Sequence, residues 1–258
     1  MKSLNWANSA KTAASAGLAL LAIAAMPATS NASILVVGGN ASATVEGNSA
    51  NGGPFGVTTG NTATYEQVYN ASAFSSVSGP ISISQIAFRP DQTYGTAFSA
   101  DVFMSIGLST TLMSADSLSP TFVAPAASFQ HYTLSSANTT TGSGTKAFDI
   151  IINLPTPMIY NPAQGNLLLS VSMTGITSTS VYPGTYLDAV STAGDNTSRA
   201  YAYPWSSLNM PTDTTGLVTQ FTFSAVPEPG TLMTGIFAAA VPLGMGGLRL
   251  LRGRARKA

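Results

Sequence analysis

Residues 101–108 read Asp101-Val102-Phe103-Met104-Ser105-Ile106-Gly107-Leu108. Val102, Met104, Ile106 and Leu108 alternate with Asp101, Phe103, Ser105 and Gly107, so one face is apolar and the other more polar. A half-buried β-strand has this period of two, and a helix does not. The pattern recurs along the chain. Phe148, Ile150, Ile152 and Leu154 alternate with Ala147, Asp149, Ile151 and Asn153. Leu167, Leu169, Val171 and Met173 do so with Leu168, Ser170, Ser172 and Thr174, and Leu217, Thr219, Phe221 and Phe223 with Val218, Gln220, Thr222 and Ser224. In Ile81–Phe88 the apolar phase slips between Ile83 and Ile86, which predicts either a bulge or burial of both faces. Tyr65–Tyr69, Tyr186–Val190 and Arg199–Tyr203 are weaker strand candidates.

Turn signals separate these segments: Arg89-Pro90-Asp91, Gly142-Ser143-Gly144, Asn161-Pro162, Pro183-Gly184 and Gly194-Asp195-Asn196. Residues 61–226 show no helical periodicity and no internal repeat. Many short strands without crossover helices predict an all-β domain, an antiparallel β-sandwich of jelly-roll type. Ahead of it, 33–60 is rich in Gly, Asn, Ser and Ala and reads as loop, except for a first strand at Ile34–Val37.

The 258 residues include no cysteine, which removes disulfides and thiolate metal sites. Charged residues are 8% of the chain and apolar residues 45%, a balance that favours folding over disorder. Charge is segregated. Between Asn31 and Val226, nine carboxylates face only Arg89, Lys146 and Arg199, a net charge of −6. An acidic body excludes nucleic acid as a partner, because phosphate binding needs a basic surface.

Each end of the chain is apolar. Lys2 and Lys11 precede or flank the run Ala13–Ala25, and small residues follow Pro27, so 1–32 reads as a secretory signal helix cut after Ser30 or after Ala32. That run is too short to cross a hydrocarbon core of about 30 Å. At the other end, 227–258 opens with Pro227-Glu228-Pro229. An uncharged run, Thr231–Leu248, follows, and then Arg249, Arg252, Arg254, Arg256 and Lys257. As a helix the run spans about 27 Å, enough for one transmembrane pass with the arginines inside. The two prolines fix φ, lack N–H donors and bias the residues before them to extended geometry. Glu228 therefore stands on an accessible strip that a peptidase can grip.

This tripartite order resembles the PEP-CTERM sorting signal of exported proteins in Gram-negative bacteria. The resemblance implies passage through the Sec translocon, removal of the leader by signal peptidase, a transient stay in the inner membrane through the C-terminal helix, and cutting by an exosortase. It implies a secreted or cell-surface destination associated with exopolysaccharide. Three strings in the body, Ile86–Arg89, Ile106–Thr111 and Tyr160–Leu169, together with Ser198-Arg199 and Gly216–Thr219, look like an uncharacterised ectodomain often found ahead of this tag; the likeness spans Tyr65 to Phe223.

Side chains with chemistry are few. His131 is the single histidine, no serine sits in a Gly-x-Ser-x-Gly elbow, and a lone imidazole in Phe129-Gln130-His131-Tyr132 reads as a surface or strand residue. Nothing marks Asp91, Asp101, Asp188 or Asp213 as the facing pair a glycoside hydrolase needs. Gly194-Asp195-Asn196 with Asp188 offers oxygen ligands to calcium, but it also reads as an ordinary turn. Tyr182, Tyr186, Tyr201, Tyr203 and Trp205 are candidates for a sugar-stacking platform. The sequence thus predicts a non-enzymatic structural or adhesive surface protein with no cofactor. A carbohydrate-binding module is the alternative, and a secreted hydrolase stands behind it.

Overall fold

The computed structural model describes residues 31–39, 43–55, 62–119, 128–137, 144–178, 185–202 and 211–226. The predicted signal helix, the Pro-Glu-Pro strip, the transmembrane run and the arginine tail lie outside the described residues. Among the described residues no helix is long and apolar enough to cross a membrane.

Thirteen strands form among these residues: β1 (Ser33–Val37), β2 (Ser49–Asn51), β3 (Ala63–Tyr69), β4 (Ile81–Phe88), β5 (Phe98–Thr111), β6 (Gln130–Ser136), β7 (Ile150–Tyr160), β8 (Asn166–Ser178), β9 (Leu187–Ser191), β10 (Thr197–Ala202), β11 (Thr212–Asp213), β12 (Thr215–Leu217) and β13 (Thr219–Ala225). All pair antiparallel. One sheet has the order β1-β13-β4-β7, a second β11-β10-β3-β8-β5-β6, and a small third β12-β9-β2. Helical structure among the described residues is limited to single 3-10 turns at Ala71–Phe74 and Pro162–Gln164.

The alternation in the sequence decides which side chains meet. Val102, Met104 and Ile106 of β5 are buried, as are Leu167, Leu169, Val171 and Met173 of β8. They share one apolar cluster with Ile81, Ile83, Ile86 and Phe88 of β4, Ile150 and Ile152 of β7, and Phe221 of β13. The inner faces of the two larger sheets therefore contribute to a single core. Aromatic edges lock it: Phe221 meets Tyr69 of β3 at 5.4 Å and 83°, and Phe74 meets Tyr160 at 4.9 Å and 69°. Burial pushes the Tyr160 phenol up to about 12, while its hydroxyl donates to the Gly165 carbonyl at 2.9 Å.

The phase slip in β4 is a bulge. Both neighbours pair with Ile83 and Gln85 and skip Ser84: Phe223 and Thr222 on one side, Met158 and Asn153 on the other. One extra residue turns the strand so that Ile83 and Ile86 both point inward. Opposite the bulge, β7 lets Leu154, Pro155, Thr156 and Pro157 run out of register. Two residues without an amide N–H are tolerated there because β7 is an edge strand. A similar irregularity falls in β8, where Phe103 pairs with Gly175 and Met104 with Met173, leaving Thr174 between them. Leu168 on the outer face is also buried, because Ala115 and Leu118 fold back over it and over Val68 and Ala200.

The run Leu217–Ser224, predicted as one strand, is two. Val218 lies outside both, and its N–H donates to the Asp188 carbonyl at 3.0 Å, so the chain changes sheets there. In the stretch predicted as loop or first strand, β1 pairs with β13 as an integral edge, and β2 pairs with β9. All described residues belong to the compact unit Asn31–Val226.

Candidate functional site

β4 ends at Phe88, and the chain runs on through Arg89-Pro90-Asp91 beside the start of β9. Asp188 N–H donates to the Arg89 carbonyl at 3.0 Å, Asp91 N–H to the Tyr186 carbonyl at 2.8 Å, and Pro90 bridges Leu187. This short antiparallel stretch brings two side chains together from 99 residues apart: Arg89 Nε donates to Asp188 Oδ2 at 2.7 Å. Both side chains are 0% exposed. Arg89 Nη2 also donates to the Val45 carbonyl at 2.7 Å, and its guanidinium carbon lies 4.8 Å from the Phe148 ring centroid. A buried charge is tolerable only when it is paired and hydrogen-bonded in this way.

Two more carboxylates join Asp188. Glu46, Asp91 and Asp188 each place an oxygen within 4.8 Å of the others. Asp188 Oδ1 accepts from Gly47 N–H at 2.9 Å and Glu46 Oε1 from Gln92 N–H at 2.8 Å. Asp91 Oδ1 accepts from Thr93 N–H at 2.8 Å and Tyr94 N–H at 2.7 Å, closing the turn that follows β4. Glu46 Oε2 is shielded from water without a hydrogen-bond partner. Among the described residues, these three are the set that could offer oxygens to a hard cation. Arg89 already supplies a positive charge to Asp188, however, and backbone N–H groups occupy an oxygen on each of the other two. The arrangement is that of a hydrogen-bonded polar pin joining three loops, with one guanidinium set among three carboxyl groups.

Electrostatics gives the pin a pH signature. Burial raises the Asp188 pKa above 3.8, with Arg89 pulling against it. Burial, and then the charge of Asp188, raise that of Glu46 above 4.5. A carboxyl with a raised folded-state pKa binds its proton more tightly folded than unfolded. Stability is therefore gained as pH falls through the raised value, and the gain is complete below the ordinary one. Asp213 behaves oppositely. Burial pushes its pKa up, but the bidentate hydrogen bonds from Arg199, at 2.8 Å each, outweigh burial and hold it below 3.8. Its contribution is lost as pH falls through that lowered value. The midpoint of urea unfolding is expected to rise from pH 7 towards about pH 4.5 and to fall below about pH 3.8. A midpoint that declines steadily from pH 7 would contradict this assignment.

Above the pin sit two exposed aromatic rings. Tyr94 is 63% exposed and Tyr186 53%, with centroids 6.2 Å apart and planes at 59°. Tyr94 belongs to the turn capped by Asp91, and Tyr186 immediately precedes β9.

Of the five aromatics predicted as a platform, Tyr186 is therefore paired, but with Tyr94. Tyr201 lies in β10, half-buried, with the Arg199 guanidinium 4.7 Å from its ring centroid. Tyr182, Tyr203 and Trp205 lie outside the described residues, as do Pro227, Glu228, Pro229, Arg249, Arg252, Arg254 and Arg256. Of the four aspartates weighed as a pair, Asp91 and Asp188 do meet, beneath Arg89. Asp101 accepts from the Thr133 hydroxyl at 2.7 Å, and Asp213 binds Arg199. Asp195 is separate from Asp188's cluster: its carboxylate accepts from Thr197 N–H at 3.1 Å, within a turn where Gly194 has φ 79° and Asn196 φ 65°. His131 lies exposed on β6, opposite Phe103, with ring centroids 4.7 Å apart.

Sequence reasoning missed Glu46, Arg89 and Tyr94. Arg89 carried a usable signal: it is one of three cations in the body, and it directly follows the apolar run Ile81–Phe88, a position where a charge must find a buried partner.

One cavity of about 410 Å³ opens beside the β7 excursion, lined by Ile106, Leu108, Gln130, Leu154, Pro155 and Met158 among others, with no carboxylate in its wall. A second, of about 180 Å³, includes a single carboxylate, Asp195. Compared with protein-family models, curated proteins and solved structures, the chain matches none of them.

Proposed function

We propose that this chain is an exported protein of a Gram-negative bacterium whose body acts outside the cell as a non-enzymatic structural or adhesive component of an exopolysaccharide layer. The leader directs it through the Sec translocon and is removed by signal peptidase. The C-terminal helix holds the remainder in the inner membrane until an exosortase cuts near Pro227-Glu228-Pro229.

One observation supports the reading: every described strand lies between the two proposed cut sites. β1 begins at Ser33, so cleavage after Ser30 or after Ala32 removes no strand residue. β13 ends at Ala225, and Val226 N–H makes its hydrogen bond to the Pro80 carbonyl at 3.0 Å, immediately before Pro227. A cut anywhere in 227–230 leaves every described strand pair intact.

Within this reading the two larger sheets are the layers of a jelly-roll sandwich. Support comes from the order in which the chain visits them. β1, β4, β7 and β13 fall in the four-stranded sheet, while β3, β5, β6 and β8 fall in the six-stranded one. The orders β1-β13-β4-β7 and β3-β8-β5-β6 are those of two interleaved Greek keys, with β10 and β11 added beside β3. A non-catalytic role is supported by the use of the charged groups. Arg89 with Asp188, Arg199 with Asp213, and Asp149 with the Ser136 hydroxyl and Ala137 N–H all serve the scaffold.

Cell fractionation of a host that carries the processing peptidase tests this. The body is expected outside the cells, and alanines at Pro227, Glu228 and Pro229 together are expected to leave it in the membrane fraction. Equal release of both forms would rule out processing at this motif.

A further inference from the structure

Tyr65, Tyr69 and Tyr160 are fully buried, yet Tyr94 and Tyr186 stand with their rings more than half in water. They are also held there. Asp91 N–H to the Tyr186 carbonyl at 2.8 Å ties one tyrosine's backbone to the other's loop, and Gly95 N–H closes the turn onto the Asp91 carbonyl at 2.9 Å. Thr96 N–H donates to the Thr185 hydroxyl at 2.6 Å, so residues flanking both rings are cross-linked. Beneath them lies the buried Arg89–Asp188 pair. Gly52 lies beside one edge of Tyr186, where a Cβ would come to 3.7 Å of its Cε1, an ordinary van der Waals contact. Such rings are preorganised, and a ligand that meets them need not order the loops.

From this geometry we propose that Tyr94 and Tyr186 form a binding site for a neutral polysaccharide. The inference rests on the surface-protein reading and names the ligand class and the residues that contact it. Three features select that ligand. The two rings are tilted at 59° and spaced at 6.2 Å, offering separate faces to adjacent sugar rings, with phenol groups to meet their hydroxyls. Together they expose on the order of 300 Å² at most, an area that a short run of sugar rings can cover. The body carries net charge −6, and the guanidinium nearest the site, Arg89, is buried in its own ion pair, so a uronate or sulfated polymer would meet repulsion.

The test is titration of the full-length chain in detergent micelles with cellohexaose, xylohexaose and mannohexaose, with an alginate hexasaccharide as the anionic counter-probe, followed by saturation-transfer NMR. At least one neutral hexasaccharide is expected to bind, with a dissociation constant on the order of 0.1–1 mM, and alginate is not. Tyr94→Ala and Tyr186→Ala are each expected to weaken binding about tenfold, and the pair of substitutions to abolish it. Because both side chains face water, the unfolding midpoint should stay unchanged. Tyr→Phe at either position keeps the ring and should stay within about threefold. Absence of binding by all three neutral probes up to about 5 mM, binding that survives the double alanine variant, or preference for alginate would each overturn the proposal. None of these results would touch the export reading, which is judged by where the chain is cut.

Discussion

Arg89→Ala is expected to destabilise the β-domain by about 3–5 kcal/mol, the cost of leaving a buried carboxylate without its partner. Asp188 is 0% exposed and cannot turn to water, and Glu46 and Asp91 bring two more carboxylates within 4.8 Å. Removing the guanidinium also strips the Val45 carbonyl of its donor. The loss should be largest at neutral pH and shrink as the carboxyls are protonated. Arg89→Met combined with Asp188→Leu, which removes both charges, should cost less than Arg89→Ala alone. Urea unfolding followed by far-UV circular dichroism at pH 7 and pH 5 measures all of this. A loss under about 1 kcal/mol at pH 7 would mean the pair is not buried.

Phe221→Ala is expected to cost about 3–5 kcal/mol, the range for removing a large aromatic from a packed core. Its ring is 0% exposed and joins the two main sheets: it stands on β13, its edge contact Tyr69 stands on β3, and Phe74 lies 5.8 Å away. The Tyr69 hydroxyl is hydrogen-bonded to Thr219 Oγ1 at 2.7 Å, so that ring cannot move freely to fill the gap. Ile34 makes the contrast. It lies on the neighbouring β1 but is 64% exposed, and Ile34→Ala should stay within about 0.5 kcal/mol. The same unfolding experiment separates the two cases.

The fold was legible where a strand buries one full face. β4, β5, β7 and β8 announce themselves because Ile, Val, Leu, Met and Phe recur at every second position, and even the bulge at Ser84 was visible as a slipped phase. β6, Gln130–Ser136, was not, because as the edge strand of its sheet it buries only Leu134 and Ser136 fully. β2, β11 and β12 are two or three residues long, too short for any period to show. The tyrosine platform was half legible. Tyr186 could be named from an aromatic-rich region, but Tyr94 arrives from a loop that only the pairing of Arg89–Asp91 with Tyr186–Asp188 brings alongside. The Arg89–Asp188 pin depends on the same pairing, and Glu46 sits in a Gly- and Asn-rich stretch with no pattern of its own. Contacts between residues this far apart in the chain, 99 for Arg89 and Asp188, are set by topology, which local periodicity does not encode.

Export and two-ended processing is the claim on which the biological account rests, and intact-mass analysis of the protein recovered from the culture medium tests it most directly. The account predicts a chain starting at Asn31 or Ser33 and ending within 227–230, with every strand of the body retained. Recovery of a chain still carrying Arg249–Lys257 would contradict it.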